Sequence, residues 1–169
     1  MIYARKDLIT LQELKLQMKM NSLKQNILNY YLQQVNDKLD AFRDMIAALT
    51  EGAANDAKGS AGDKHETALS MMHIEQEKLN RKISEFQEQK SILEKINPEA
   101  VTDRVALGSL VKANGMYLFV SAALPKITVD GVTVIALSPQ SPLGAKMMGM
   151  REDDTFEING TKYLIQEIT

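Results

Sequence analysis

The sequence contains no cysteine and no tryptophan, and only four prolines in 169 residues. Without cysteine the chain cannot form a disulfide, use a thiol nucleophile or hold zinc through thiolates. We therefore expect a protein of the reducing cytoplasm. No apolar run approaches the roughly 20 residues that a membrane-spanning helix needs, so we expect no membrane partner.

Strong charge of either sign is also missing, since the formal net charge is −2. No global basic field attracts nucleic acid, so any contact with nucleic acid must be local or arise through another protein. Hydrophobic residues make up 44% of the chain and charged residues 25%, which is typical of a folded protein rather than a disordered one.

Two apolar repeats with alternating spacings of four and three residues dominate the first hundred residues. The first seam comprises Leu28, Leu32, Val35, Leu39, Phe42, Ile46 and Leu49, and the second comprises His65, Leu69, Met72, Gln76, Leu79, Ile83, Phe86, Lys90 and Leu93. This is the spacing of coiled-coil a and d positions. Residues 51–62 lie between the seams and have no large apolar side chain. The pattern predicts an antiparallel helical hairpin, with one helix from Ser22 as N-cap to about Thr50 and another over 63–96.

Asn97-Pro98 ends the second helix, because proline cannot continue it. The apolar period then changes to two and predicts strands at 105–111, 116–120, 126–129, 132–135, 155–158 and 161–165. Asp130-Gly131 and Asn159-Gly160 are type I′ hairpin signals. Ser141-Pro142, followed by Gly149, predicts the N-cap, first residue and C′ of a short helix.

The fold class is therefore predicted to be α+β, a coiled-coil hairpin followed by a small antiparallel β domain with one short helix. We place the hairpin at 21–97 with its tip at 51–66, and the β domain at 98–169. Residues 1–20 do not continue the heptad phase cleanly. Two interpretations remain for them: Met20 is the biological start, or the segment is an ordinary N-terminal helical extension.

The hairpin tip carries two carboxylates, Asp63 and Glu66, at a helix start. Residues three apart on a helix share a face, with Cβ atoms about 5–6 Å apart. Asp-x-x-Glu is also a capping-box pattern, so a purely structural role is the alternative. Mg²⁺ is usually held by one or two carboxylates together with ligands from substrate phosphates. Two exposed carboxylates are therefore suited to completing a metal site that another molecule supplies.

Two short stretches resemble bacterial Gre-type transcript-cleavage factors. Gly62-Asp63-Lys64-His65-Glu66 matches the family's Gly-Asp-x-x-Glu at the hairpin tip. The segment 141–149, Ser-Pro-Leu-Gly-Ala-Lys-Met-Met-Gly, matches the family's Ser-Pro, short helix with a basic residue, and glycine. The resemblance in architecture covers about 22–168.

The resemblance implies that the C-terminal domain has an FK506-binding-protein-like fold and docks at the rim of the secondary channel of bacterial RNA polymerase. The coiled coil would enter the channel, and Asp63 and Glu66 would help to hold a shared Mg²⁺ while the polymerase cuts backtracked RNA. The residues implied to contact polymerase are Ser141, Pro142, Leu143, Lys146 and Met147. The chain would then be a monomeric accessory factor rather than an enzyme, and it would meet the nascent RNA 3′ end only indirectly.

Two departures from the family pattern keep an alternative open. Thr67-Ala68-Leu69-Ser70 stands where the family has Asn-Ala-Glu-Tyr, and Ile74 occupies a place expected to be basic. A Gre-fold regulator that occupies the channel without stimulating cleavage is therefore the nearest rival. A coiled-coil adaptor, whose seam would pair two chains, is a rival of another class. A peptidyl-prolyl isomerase needs an apolar, aromatic-lined pocket, for which the predicted β domain offers Tyr117, Phe119, Phe156 and Tyr163.

Overall fold

The computed structural model describes residues 11–56 and 63–169. Its elements in chain order are α1 (Leu11–Asp56), α2 (Asp63–Glu94), β1 (Leu110–Ala113), β2 (Met116–Val120), β3 (Ile127–Val129), β4 (Val132–Leu137), α3 (Pro142–Met147), β5 (Thr155–Ile158) and β6 (Thr161–Ile168). The chain divides into two compact units. A helical unit comprises Leu32–Ile92, and a mixed unit joins the α1 residues up to Tyr31 to Leu93–Thr169. The predicted α+β class, a helical hairpin followed by a small β domain, is confirmed.

The helical unit packs along the predicted seam. Val35, Leu39 and Leu79 are buried there, whereas the neighbouring charged positions are exposed. Two cross-helix pairs give the direction: the Phe42 and Phe86 rings lie 5.6 Å apart, and Gln76 Nε2 donates to Thr50 Oγ1 over 3.0 Å. Phe42 precedes Thr50 in α1, whereas its partner Phe86 follows Gln76 in α2. The two helices therefore run antiparallel.

The ends of α1 differ from the sequence prediction. Ser22 lies inside the helix rather than at its N-cap, since α1 begins at Leu11. The helix also continues through Glu51–Asp56, which we had placed in the connection. One exposed glycine costs a helix only about 1 kcal/mol, and Ala53 and Ala54 favour helix here. The helix therefore includes residues 51–56, and 57–62 lie outside the described residues.

The six strands form one mixed sheet with the order β3-β4-β2-β1-β6-β5. We had predicted an antiparallel sheet, but β2 pairs with β4 in parallel, with Tyr117 opposite Val134 and Val120 opposite Leu137. The remaining pairs are antiparallel. The β3–β4 hairpin enters the sheet with its second strand beside β2, which leaves β3 at the edge and makes β4 parallel to β2.

The turns of the sheet follow the turn chemistry in the sequence. Asp130-Gly131 and Asn159-Gly160 have positive φ at both residues, 51° and 77° in the first and 51° and 75° in the second. Type I′ turns require this combination, so both predicted hairpins are confirmed. Asn114-Gly115, with φ of 47° and 78°, forms a third turn of this kind between β1 and β2 that we did not predict. The strand predicted at 105–111 begins only at Leu110, because a turn closed by Ser109 N donating to Ala106 O precedes it.

Two separate groups of contacts cover the sheet. Leu118 and Val120 belong to a core with Val111, Met147 and Ile165. Phe119 points to the opposite face, because successive residues of a strand alternate. There it stacks on Tyr31 of α1 at 6.2 Å between ring centroids. The first part of α1 is thus a structural layer of the mixed unit.

Tyr31 is almost fully buried, and its hydroxyl donates to the Pro125 carbonyl over 2.9 Å. Burial raises the pKa of Tyr31 to about 12, although a backbone hydrogen bond from Ala136 acts in the opposite direction. Two further contacts tie α1 to this unit. Asn26 Nδ2 donates to Asp130 Oδ2 over 2.8 Å, and Lys24 Nζ donates to the Ala100 carbonyl over 2.8 Å.

Lys24 is the most unusual charge in the described part of the chain, with only 2% of its surface exposed. Burial lowers the pKa of its ammonium below the ordinary value of 10.5, because a charge loses hydration in the interior. Ala100 is itself exposed, so water can replace the lysine at its carbonyl. We therefore expect the ammonium to cost stability at neutral pH.

We expect Lys24→Met to raise the free energy of unfolding at pH 7 by about 1 kcal/mol, since an apolar side chain of similar length avoids the burial of charge. Because the pKa of Lys24 is lower in the folded state than in the unfolded state, the unfolded chain binds more protons at alkaline pH. The stability contribution of Lys24 should consequently rise as pH increases toward about 10. Urea unfolding at pH 7 and pH 9.5 measures both effects.

Lys19→Met is the matched control, because Lys19 is exposed on the same helix. It should change stability by less than about 0.5 kcal/mol at either pH. A large loss of stability in Lys24→Met would mean that the ammonium is a net stabilising group.

Candidate functional site

The two carboxylates at the hairpin connection lie at the start of α2. The helix begins at Asp63, and Glu66 follows three residues later with an exposed side chain. The helical backbone places both residues on one face. The side chain of Asp63 lies outside the described residues, as does that of His65, which we had placed at the end of the seam.

The environment of Glu66 is open to water. Its side chain is exposed, and its main-chain carbonyl accepts a hydrogen bond from Ser70 Oγ over 3.0 Å. Within 11–56 and 63–169, no three described His, Asp or Glu side chains form a group that could hold a metal ion. As two carboxylates, Asp63 and Glu66 could supply only part of the octahedral coordination shell of Mg²⁺, and the other oxygen ligands would come from another molecule or water.

The second predicted site is α3, and its N-terminus is built as the sequence indicates. Ser141 Oγ accepts from Gly144 N over 3.0 Å and donates to the Ser138 carbonyl over 2.7 Å. Pro142 is the first helical residue, and Gly149 follows the helix with φ of 78°. The predicted N-cap, N1 and C′ assignments are therefore confirmed. The Ser141 hydroxyl is used within the fold, so it orients α3.

The other residues of α3 divide into an exposed group and a buried one. Pro142 and Lys146 are exposed and Leu143 is partly exposed, so a partner can reach them. Met147 is fully buried in the core beneath the helix, which corrects its predicted place on a polymerase-contacting surface. The resemblance named Met147 without distinguishing the buried methionine of this short segment from the exposed one. Met148, 39% exposed, is the methionine that faces solvent.

Gly144 is a residue whose importance the sequence did not reveal. A Cβ atom at this position would lie 2.1 Å from the Ser138 carbonyl oxygen. The glycine allows α3 to pack directly on the backbone that leaves β4. The Ser-Pro-x-Gly spacing was a possible signal, but a helical glycine is usually interpreted only as a weak helix former.

The aromatic side chains of the mixed unit are used in packing. Phe156 stacks on Tyr163 at 5.1 Å, Phe119 stacks on Tyr31, and Lys112 Nζ lies 5.7 Å from the Tyr117 ring centroid. Phe119 therefore packs on α1, whereas Phe156 and Tyr163 pack on each other, so these aromatics take part in separate contacts.

Comparison with known proteins does not assign this chain to a family. No family model matches the sequence, and no curated protein is significantly similar to it. Among the described residues, no helix combines the length and hydrophobicity required to cross a bilayer.

Proposed function

We propose that this protein is a Gre-type transcription elongation factor. In this role its helical hairpin enters the secondary channel of bacterial RNA polymerase, and Asp63 and Glu66 help the polymerase to cleave backtracked RNA. The observation that carries the proposal is the position of Gly62-Asp63-x-x-Glu66. The two acids open α2 immediately after the helix–helix connection, in a chain that also has the Ser141-Pro142 helix on a β unit.

Several features of the hairpin support this role. The antiparallel seam closes within one chain, as the Phe42–Phe86 and Thr50–Gln76 contacts indicate. Glu66 is exposed and can approach another molecule's active site without unfolding. A carboxylate delivered in this way would complete the coordination of a Mg²⁺ ion that the polymerase site and RNA phosphates share, and such an ion would activate a water for RNA hydrolysis.

A direct test uses stalled, backtracked elongation complexes of bacterial RNA polymerase. With Mg²⁺ present, the full chain should accelerate the release of short RNA fragments from the 3′ end, whereas the isolated protein should cleave no RNA. Failure to bind polymerase at all would contradict the proposal.

The α3 surface is expected to supply affinity for polymerase, because Lys146 is exposed beside Pro142 and Leu143. Lys146→Glu should weaken binding to core polymerase by about ten-fold, since it reverses a charge at the contact, while thermal stability stays unchanged. Lys162→Glu is the control, because Lys162 is also exposed and lies on β6. Binding titrations with fluorescently labelled protein measure the difference, and equal weakening by both variants would exclude a specific contact at α3.

The non-cleaving regulator remains the second candidate, and one observation favours it. Ile74, where the resemblance leads us to expect a basic residue, is 55% exposed and offers no charge to RNA. Channel occupancy without accelerated cleavage, measured in the same assay, would support this candidate. The adaptor alternative requires the seam to pair two chains, whereas the Phe42–Phe86 and Thr50–Gln76 contacts join α1 to α2 of one chain.

A further inference from the structure

Two turns of the mixed unit contain the dipeptide Asn-Gly, at 114–115 and at 159–160. Their backbones are nearly identical, with φ of 47° and 78° in the first turn and 51° and 75° in the second. The residues of both turns are exposed, and a Cβ atom at either glycine would meet nothing within 4 Å. The two turns therefore share the same dipeptide, the same backbone conformation and an open position in water.

An asparagine that precedes glycine is prone to spontaneous deamidation, because glycine has no Cβ atom to hinder its own backbone nitrogen. That nitrogen loses its proton and attacks Cγ of the asparagine. A new C–N bond closes a succinimide ring, the bond between Cγ and the side-chain nitrogen breaks, and ammonia leaves. Water then opens the ring at one of its two carbonyl groups and yields aspartate or isoaspartate. The reaction needs no co-reactant other than water.

The first turn opposes this reaction through three hydrogen bonds to β6. Asn114 Nδ2 donates to the Lys162 carbonyl over 2.8 Å, and Leu164 N donates to Asn114 Oδ1 over 3.0 Å. Gly115 N, which would be the nucleophile, donates to Gln166 Oε1 over 2.7 Å. The side-chain amide must break both of its hydrogen bonds to rotate toward that nitrogen, and the nitrogen must leave its acceptor.

The second turn has no comparable restraint. Among residues 11–56 and 63–169, no hydrogen bond holds the side chain of Asn159 or the backbone nitrogen of Gly160. The turn is bracketed only by the main-chain pair of Ile158 with Thr161 in the β5–β6 ladder. The Asn159 amide can therefore rotate toward Gly160 N without losing a hydrogen bond.

We propose that Asn159 is a site of spontaneous deamidation, and that the hydrogen bonds to β6 protect Asn114 from the same reaction. Hydrolysis by water converts the Asn159 amide to a carboxylate, in part with a rearranged main chain. This modification is additional to the proposed role in transcription and does not depend on it.

The isoaspartate product should weaken the β5–β6 hairpin. In isoaspartate the peptide bond runs through the former side chain, so the main chain of the turn gains a methylene carbon. A two-residue type I′ loop fixes the pairing of Ile158 with Thr161. Next to that pair, Phe156 stacks on Tyr163 at 5.1 Å and belongs to the core. The aspartate product should keep the hairpin, because Asp-Gly also favours this turn.

The experiment incubates the full chain at 37 °C in mildly alkaline buffer, where a backbone nitrogen loses its proton more readily. Trypsin then places the two sites in separate peptides, 113–126 and 152–162, and mass spectrometry measures the deamidated fraction of each. Asn159 should react at least about ten-fold faster than Asn114 in the folded protein, since hydrogen bonds must break only at Asn114. In denaturing urea the two sites should react at similar rates, because the hydrogen bonds to β6 are lost.

Gln166→Ala is a matched variant, because it removes the acceptor of Gly115 N and changes nothing that Asn159 contacts. Deamidation of Asn114 should accelerate by about three-fold or more, whereas the rate at Asn159 should stay unchanged. Equal rates at the two sites in the folded parent, or a ratio that persists in urea, would overturn the proposal. An Asn159 that stays intact while the unfolded chain deamidates would overturn it as well.

Hydrogen exchange measures the effect on the hairpin. Amides of β5 and β6 should exchange faster in deamidated protein that contains isoaspartate than in the Asn159→Asp variant, which reproduces only the aspartate product. Equal exchange in the two samples would contradict the predicted loss of pairing.

Discussion

Replacing Asp63 with asparagine should remove most of the RNA cleavage that the protein stimulates in backtracked polymerase, by at least about ten-fold. Asparagine is as good an N-cap as aspartate, so the substitution should cost little stability even if Asp63 caps α2. The substitution removes the negative charge that a Mg²⁺ ligand requires. Glu66→Gln should behave in the same way. Initial rates of fragment release at saturating protein measure both variants.

Two controls distinguish chemistry from helix capping. Asp63→Ala should lose the same cleavage activity and in addition about 1 kcal/mol of stability if Asp63 caps the helix. Glu77→Gln removes an exposed carboxylate further along α2 and should leave cleavage unchanged. Asparagine and glutamine variants that cleave as fast as the parent would assign both acids to capping alone.

The largest expected effect on stability comes from a single methyl group at Gly144. Gly144→Ala would place a Cβ atom 2.1 Å from the Ser138 carbonyl oxygen and 3.0 Å from Leu137 Cδ1. Because the nearest atom is backbone, relief requires α3 to move away from β4, which also lifts Met147 out of the core. We expect the free energy of unfolding to fall by about 3 kcal/mol, as measured by urea denaturation.

Gly52→Ala is the matched control, since it is the same substitution in a helix of this chain. The new Cβ atom meets nothing within 4 Å, and Gly52 lies in the interior of α1. Alanine should therefore stabilise the protein by up to about 1 kcal/mol, because it favours helix more than glycine does. Similar effects of the two substitutions would mean that α3 can shift from its position without cost.

The sequence by itself determined the features that depend on neighbouring residues. Apolar residues with a mean spacing of 3.5 lie on one face of a helix. The seam from Leu28 to Leu49 and its counterpart on α2 were therefore predictable. The turns at Asp130-Gly131 and Asn159-Gly160 require positive φ, and the Ser141 cap requires only residues within four positions. The position of Asp63 and Glu66 at a helix start was predictable for the same reason.

Only the tertiary structure decided the contacts between distant segments. Local pattern does not state which strand of a hairpin joins a sheet, and so the parallel pairing of β2 with β4 could not be predicted. It also does not state that α1 covers one face of the sheet through Tyr31 and buries Lys24. The close approach of Gly144 to Ser138 and the burial of Met147 depend on the position of α3 over the core. Burial and close packing are set by segments far apart in the chain, whereas periodicity, caps and turns are set within a few residues.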